Sequence, residues 1–195
     1  FLFHEFTDFF CAGTSFYKGY RLLACDGSDL CIACNPKDET TYFQSTPDSK
    51  GFNQIHLNAL YDLCSRTYVN AIIQPARQEN ENKAMCQFID SFQGTAKTVF
   101  IADRGYENYN IFAHAEQKGM FYLIRAKDIS SNGIVASMKA QLPKDRDIFD
   151  APVSIILTKK QTNVVKAAPD KYRIIMKATP FDYLDLYHHK FYEMK

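Results

Sequence analysis

Two apolar runs in this chain each end on an aspartate: Tyr20-Arg21-Leu22-Leu23-Ala24-Cys25-Asp26-Gly27-Ser28 and Thr98-Val99-Phe100-Ile101-Ala102-Asp103-Arg104-Gly105-Tyr106. Short apolar runs bounded by turn residues predict buried strands. A strand holds its last side chain more firmly than a loop does, and glycine leaves backbone room beside the acid for an ion or a phosphate. Two such ends meeting at one place would hold a divalent cation, an arrangement suited to metal-assisted phosphoryl transfer. For either segment taken singly, plain Asp-Gly turn chemistry is the commoner explanation.

With 46% of its 195 residues hydrophobic, the chain has enough apolar surface for one good core and room for a second small module. No apolar run reaches the roughly 18 residues that a membrane span needs. The opening Phe1-Leu2-Phe3-His4-Glu5-Phe6 is too short and too acidic for a secretory signal, and the missing initiator methionine suggests a fragment. A net charge of +1 announces no nucleic-acid partner by itself. Residues 128–177, however, hold nine Lys or Arg against five Asp, which is compatible with phosphate contacts or with a merely solvated surface. The six cysteines, at 11, 25, 31, 34, 64 and 86, are expected to be reduced and buried rather than paired, given the chain's size and its lack of an export signal. Cys31 and Cys34 have the spacing of a zinc knuckle or redox pair, but no second pair follows to complete a site.

Taken in order, Leu2 to Phe10 places Leu2, Phe6, Phe9 and Phe10 near one side of a short helix. Gly13 to Gly19 reads as a loop, Tyr20 to Cys25 as the first strand, and residues 26–53 as a long polar connection. Gln54 to Leu63 alternates as a half-buried strand, and after a turn at Cys64 to Thr67 its partner is Tyr68 to Gln74, closed by Pro75. His56 invites a metal reading, although a lone strand histidine is more often a hydrogen-bonded surface or core group. A helix is predicted over Glu79 to Gln93 with Gly94 as its stop, a strand covered on both faces over Thr98 to Ala102, a second helix over Asn108 to Lys118 and a buried strand over Met120 to Arg125. Three strands followed by helix, strand, helix and strand is the order of an RNase H-like α/β fold with a mixed sheet. Beyond it, Pro152 to Thr158 and Tyr172 to Met176 read as strands, and Phe191 begins another.

Several words sharpen this reading. Gly19 to Leu30, the stretch Gly51-Phe52-Asn53-Gln54-Ile55-His56-Leu57-Asn58-Ala59-Leu60-Tyr61-Asp62-Leu63, and Ala102-Asp103-Arg104-Gly105-Tyr106-Glu107 resemble, in order and spacing, the DDE transposases of the insertion sequence four group. The resemblance runs through most of the chain. It implies an RNase H-like catalytic core over 1–127 and a β-rich insertion over 128–195, lying between the second and third acidic residues. It implies Asp26 and Asp103 as the first two catalytic and metal-holding acids, with Mg2+ or Mn2+ in a two-metal site. It also implies DNA as partner, both transposon ends and target, with a homodimer on that DNA, a cytoplasmic place of action at the nucleoid and no membrane. Arg104, Arg125 and Lys127 become candidate DNA contacts, with salt bridging and solvation as the plainer alternatives, and Tyr106 either stacks on a base or packs.

The family's third acid sits in a helical signature of Tyr, two residues, Arg, three residues, Glu, six residues, Lys. That signature is not found here. Tyr187, Lys190 and Glu193 look superficially similar, but lysine stands for arginine and the spacing is wrong, so Glu193 is not carried over. The expected activity is therefore strand cleavage and 3′-hydroxyl transfer in an intact transposase, with this chain alone inactive or nearly so. The rival readings are a non-catalytic, truncated remnant that binds DNA and an RNase H-like nuclease or resolvase.

Overall fold

The computed structural model describes residues 16–194 apart from 95, 146, 147, 149, 177 and 185–190. The expected helix at Leu2 to Phe10 lies outside the described residues. The main sheet is built from β1 (Arg21–Ile32), β2 (Tyr42–Phe43), β3 (Phe52–Asp62), β4 (Thr67–Pro75), β5 (Thr98–Ala102) and β6 (Phe121–Ile124). Its order is β2-β3-β1-β5-β6, with β4 also paired to β3. The strands β1, β3 and β4 are antiparallel neighbours, whereas β5 and β6 join parallel to β1. A parallel join needs a crossover, and the helices α1 (Glu81–Ser91) and α2 (Tyr109–Gln117) supply it.

The helices cover one face of this sheet. Met85, Phe88 and Ile89 of α1 and Ile111 and Ala115 of α2 pack on Leu23, Cys25, Leu60 and Phe100. These sheet residues share a face because side chains alternate along a strand, and parallel register sets Leu23 beside Phe100. The other face carries Val99 and Ile101 half-buried, with Phe121 49% and Leu123 63% exposed on β6. The strand predicted as buried at 120–125 is thus an edge strand with one open face. No helix among the described residues is long and apolar enough to cross a membrane.

A polar anchor closes the β3–β4 turn. Asp62, fully buried, accepts the Arg21 Nε–H at 2.7 Å and the backbone N–H groups of Cys64 and Ser65. The guanidinium lies over the Phe92 ring, 5.4 Å from its centroid. Fully buried Asn53 does similar work for the loop after β1, exchanging hydrogen bonds with Asn35 and donating to Thr41 Oγ1.

A second sheet has β7 (Ile155–Thr158) between parallel β8 (Tyr172–Ile174) and antiparallel β9 (Phe191–Met194). The one-turn helix α3 (Ile134–Ser137) precedes it in sequence, and another, α4 (Asn163–Lys166), lies between β7 and β8. Ile155, Leu157, Ile175, Phe181 and Leu184 form its core together with Ala113 of α2, so α2 contributes to both cores. His114 reinforces that junction, with Nδ1 2.8 Å from Asp90 of α1 and Nε2 2.8 Å from Asp182.

Some boundaries differ from those expected. The largest difference is in β1, which does not turn at Asp26-Gly27 but runs on to Ile32, because β3 offers a full-length partner as far as Asn53. Within the long connection, β2 forms and leaves a shorter loop on either side of it. The first helix begins after its cap Asn80, whose side chain accepts the Lys83 N–H, and stops at Phe92 rather than at Gly94. Phe92 turns extended and meets Phe100 edge-on at 6.0 Å. Among the five cysteines described, all free, Cys25 and Cys86 are buried while Cys31 and Cys34 are exposed, contrary to uniform burial.

Phe100 is fully buried in the core between the sheet and the helices, so Phe100→Ala is expected to cost about 3–5 kcal/mol of unfolding free energy in urea titrations. Asp62→Asn keeps the shape but leaves Arg21 without its counter-charge; a loss of about 3 kcal/mol in the same assay is expected, as for breaking other buried pairs.

Candidate functional site

The two aspartates are placed by one register. Arg21 pairs with Thr98 and Ala24 with Ile101 across the parallel β1–β5 ladder, and Asp26 and Asp103 each follow the ladder's last pair by two residues, at the same offset. Residues paired in parallel register point to the same side, and neighbouring strands lie about 4.8 Å apart. Both aspartates are exposed. Each carboxylate is oriented by a local backbone group: Asp26 Oδ1 accepts the Gly27 N–H at 2.9 Å, and Asp103 Oδ1 accepts the Gly105 N–H at 2.7 Å. Neither aspartate forms an ion pair with another described residue.

Asp103 stands where β5 ends. It is still extended, and its side chain caps the single 3-10 turn Arg104–Tyr106. Asp26 stands elsewhere, within β1 but just past the last pair of its ladder with β5. What the sequence read as the end of a strand is therefore the end of one ladder, while the β1–β3 ladder continues.

The candidate DNA contacts fall on the same edge. Arg125 N–H reaches back to Ala102 O at 3.3 Å, so Arg125 follows β6 beside the end of β5. Arg104, Arg125 and Lys127 are all exposed, and none is ion-paired to another described residue. Lys127 is tied to the site through Glu107. That carboxylate accepts the backbone N–H of Lys127 at 2.8 Å, of Val135 at 3.3 Å and of Ile134.

Tyr106 is only 2% exposed and belongs to the main core, so it packs instead of offering a face to a base. Its hydroxyl finds no well-formed hydrogen bond. Burial, then the neighbouring Cys25, Glu81 and Asp26, drive its pKa well above the ordinary phenol value. Burial likewise pushes the Cys25 thiol up to about 12. Both groups stay neutral at physiological pH and serve as the floor beneath Asp26.

Behind Asp26 lies a group that the sequence reading did not assemble. His56 is the β3 partner of Asp29. Its Nδ1 is 2.8 Å from Asp29 Oδ1 and 3.2 Å from Glu79 Oε2, and its Nε2 is 3.1 Å from Glu81 Oε1. Burial works against protonation of His56, yet the Asp29 hydrogen bond and the charges of Glu79 and Glu81 outweigh it and raise the pKa. Gly27 allows this approach, because any Cβ there would overlap Glu81 Oε1 and His56 Nε2. The spacing of 23 residues between His56 and Glu79 carries no local motif, so only the β4–α1 connection reveals the grouping.

Of the residues weighed for a third acid, Tyr187 and Lys190 lie outside the described residues, and Glu193 lies on β9 opposite Ile156, on a strand rather than a helix. A family model described as "Transposase DDE domain" matches residues 17–187. No curated protein and no solved structure matches the chain.

Because Glu107 holds the 127–135 segment by three backbone hydrogen bonds, Glu107→Ala is expected to speed limited proteolysis within 127–135 several-fold. The midpoint of global unfolding should fall little by comparison.

Proposed function

Since the chain belongs to the DDE transposase domain family, we propose that Asp26 and Asp103 are the first two acidic ligands of its catalytic metal site, and that its substrate is DNA. The observation that supports this reading is the β1–β5 register, whose offset, carried two residues past its last pair Ala24–Ile101, brings Asp26 and Asp103 to the ends of neighbouring strand segments. Two exposed carboxylates brought to neighbouring strands repel one another, and a divalent cation relieves the repulsion. Oxygen donors of this kind suit Mg2+ or Mn2+, and two carboxylates are what such ions commonly take from a protein when phosphate completes the shell. A pair of such ions would supply activation of the attacking oxygen and stabilisation of the leaving oxygen.

The chain's own residues then have separable tasks. Asp26 and Asp103 hold charge at fixed positions, kept in orientation by the Gly27 and Gly105 N–H groups. Arg125 and Arg104 border them on the same edge and bind the phosphates flanking the scissile one, and Lys127 extends that contact. Positioning and charge stabilisation are the main means of accelerating displacement at phosphorus. The reactions are hydrolysis at the ends of a mobile element and attack of the freed 3′ hydroxyl on target DNA, by a homodimer that pairs two ends. The element order is that of an RNase H-like core, with residues 128–195 as the insertion after the second acid.

Two measurements test the proposal. In Mn2+ titrations followed by electron paramagnetic resonance, Asp26→Asn or Asp103→Asn should each weaken one class of bound ion at least tenfold, with Glu79→Gln leaving that class unchanged. Titrations indifferent to both aspartates would overturn the assignment. On supercoiled DNA with Mg2+, this chain alone should nick at background rate. Cleavage that disappears in Asp103→Ala would show instead that the chain carries a complete site.

A further inference from the structure

The imidazole and carboxylates of Asp29, His56 and Glu79 stand outside the Asp26–Asp103 pair. Asp29 is three residues along β1 from Asp26, about 10 Å at strand rise. Asp26 lies on the Ala24 side of the pleat, whereas Asp29 and its partner His56 lie on the opposite, helix-covered side. The two groups therefore open on different faces of the sheet.

Three features mark the cluster as more than surface acids. First, one ligand atom each from Asp29, His56 and Glu79 lie within 4.8 Å of one another. Donors bound to one ion at bond lengths of about 2.0–2.2 Å sit roughly 2.8–3.6 Å apart when adjacent. The 2.8 Å from His56 Nδ1 to Asp29 and the 3.2 Å to Glu79 fall in that range. Second, the imidazole is only 7% exposed, and its Nδ1 faces both Asp29 and Glu79. Third, Glu81 Oε1 is 3.1 Å from its Nε2. A carboxylate on the far nitrogen is the arrangement that fixes the tautomer and orientation of a metal-bound histidine.

Charge points the same way. Three carboxylates surround one imidazole, so with His56 neutral, as a ligand must be, the group carries three negative charges. An ion of charge +2 offsets most of that excess, and hydrogen bonds do not.

We propose that Asp29, His56 and Glu79 form a second divalent-metal site, with Glu81 orienting His56. Two carboxylates and an imidazole suit Mn2+ or Zn2+ better than Mg2+. The ion would be a clamp rather than a catalyst. It joins β1, β3 and the connection from β4 into α1, and holds the first turn of α1 over Gly27, directly behind Asp26.

The test uses the Asp26→Asn/Asp103→Asn protein, in which the other candidate site is disabled, so that failure of one proposal leaves the other readable. Mn2+ is the probe because it has little affinity for the exposed thiols of Cys31 and Cys34. Titration followed by the free-Mn2+ resonance should show one ion bound and a melting midpoint that rises with Mn2+. Adding Glu79→Gln should weaken binding at least tenfold and remove that rise. Glu79 has a half-exposed side chain, so its variant is expected to fold where one at buried His56 does not. Absence of binding in the Asp26→Asn/Asp103→Asn protein, or binding unchanged by Glu79→Gln, overturns the proposal.

Discussion

The structure depends on how β1 is paired on its two edges. On one edge β3 accompanies it antiparallel from Leu23 out to Ile32, and on the other β5 accompanies it in parallel only as far as Ala24. The antiparallel partner needs only local chain reversals, so it can be long. The parallel partner arrives by crossover through α1 and is short. The mismatch leaves a step in the sheet just after Ala24. Asp26 occupies that step, with a strand on one side and the open end of β5 on the other. A carboxylate placed there keeps the rigidity of a strand yet has space beside it.

That placement also depends on what lies beneath. Leu23 and Cys25 alternate with Ala24 and Asp26, so the side chains that fix β1 in the core and the one that faces the edge come from the same four residues. The neutral Cys25 thiol and Tyr106 phenol fill the space below, and Gly27 lets α1 begin against β1 with no side chain between. Glu107 carries the order outward by capping the backbone from Lys127 to Val135. Packing and polar contacts thus extend from the core to the row of Asp26, Asp103 and Arg125 without a break.

The second sheet is attached by different means. Its apolar core reaches the first through α2, where Ala113 faces one side and Ile111 and Ala115 the other. The His114 bridge to Asp90 and Asp182 adds a polar tie across the same junction. A helix of nine residues with apolar groups on two faces can serve two cores only because both are small.

Much of the architecture was legible from the chain alone. Thr98–Ala102 is a continuous apolar run and forms the expected strand, and the 3.6-residue spacing of Met85, Phe88, Ile89 and Phe92 marks the first helix. Asp26 and Asp103 stood out because each closes an apolar run. What tertiary structure alone decided was everything set by a partner distant in sequence. Asp26-Gly27-Ser28-Asp29 has the composition of a turn, yet it is strand, because β3 supplies ladder bonds that outweigh local preference. Met120 to Arg125 looks fit for burial, but no described element lies beyond β6, and half its side chains remain open. The convergence of His56, Asp29 and Glu79 has no local signature, since its geometry comes from pairing across β1 and β3 and from where β4 releases the chain. Periodicity is local and is written in neighbouring residues; register and proximity arise between segments far apart, and only folding brings those together.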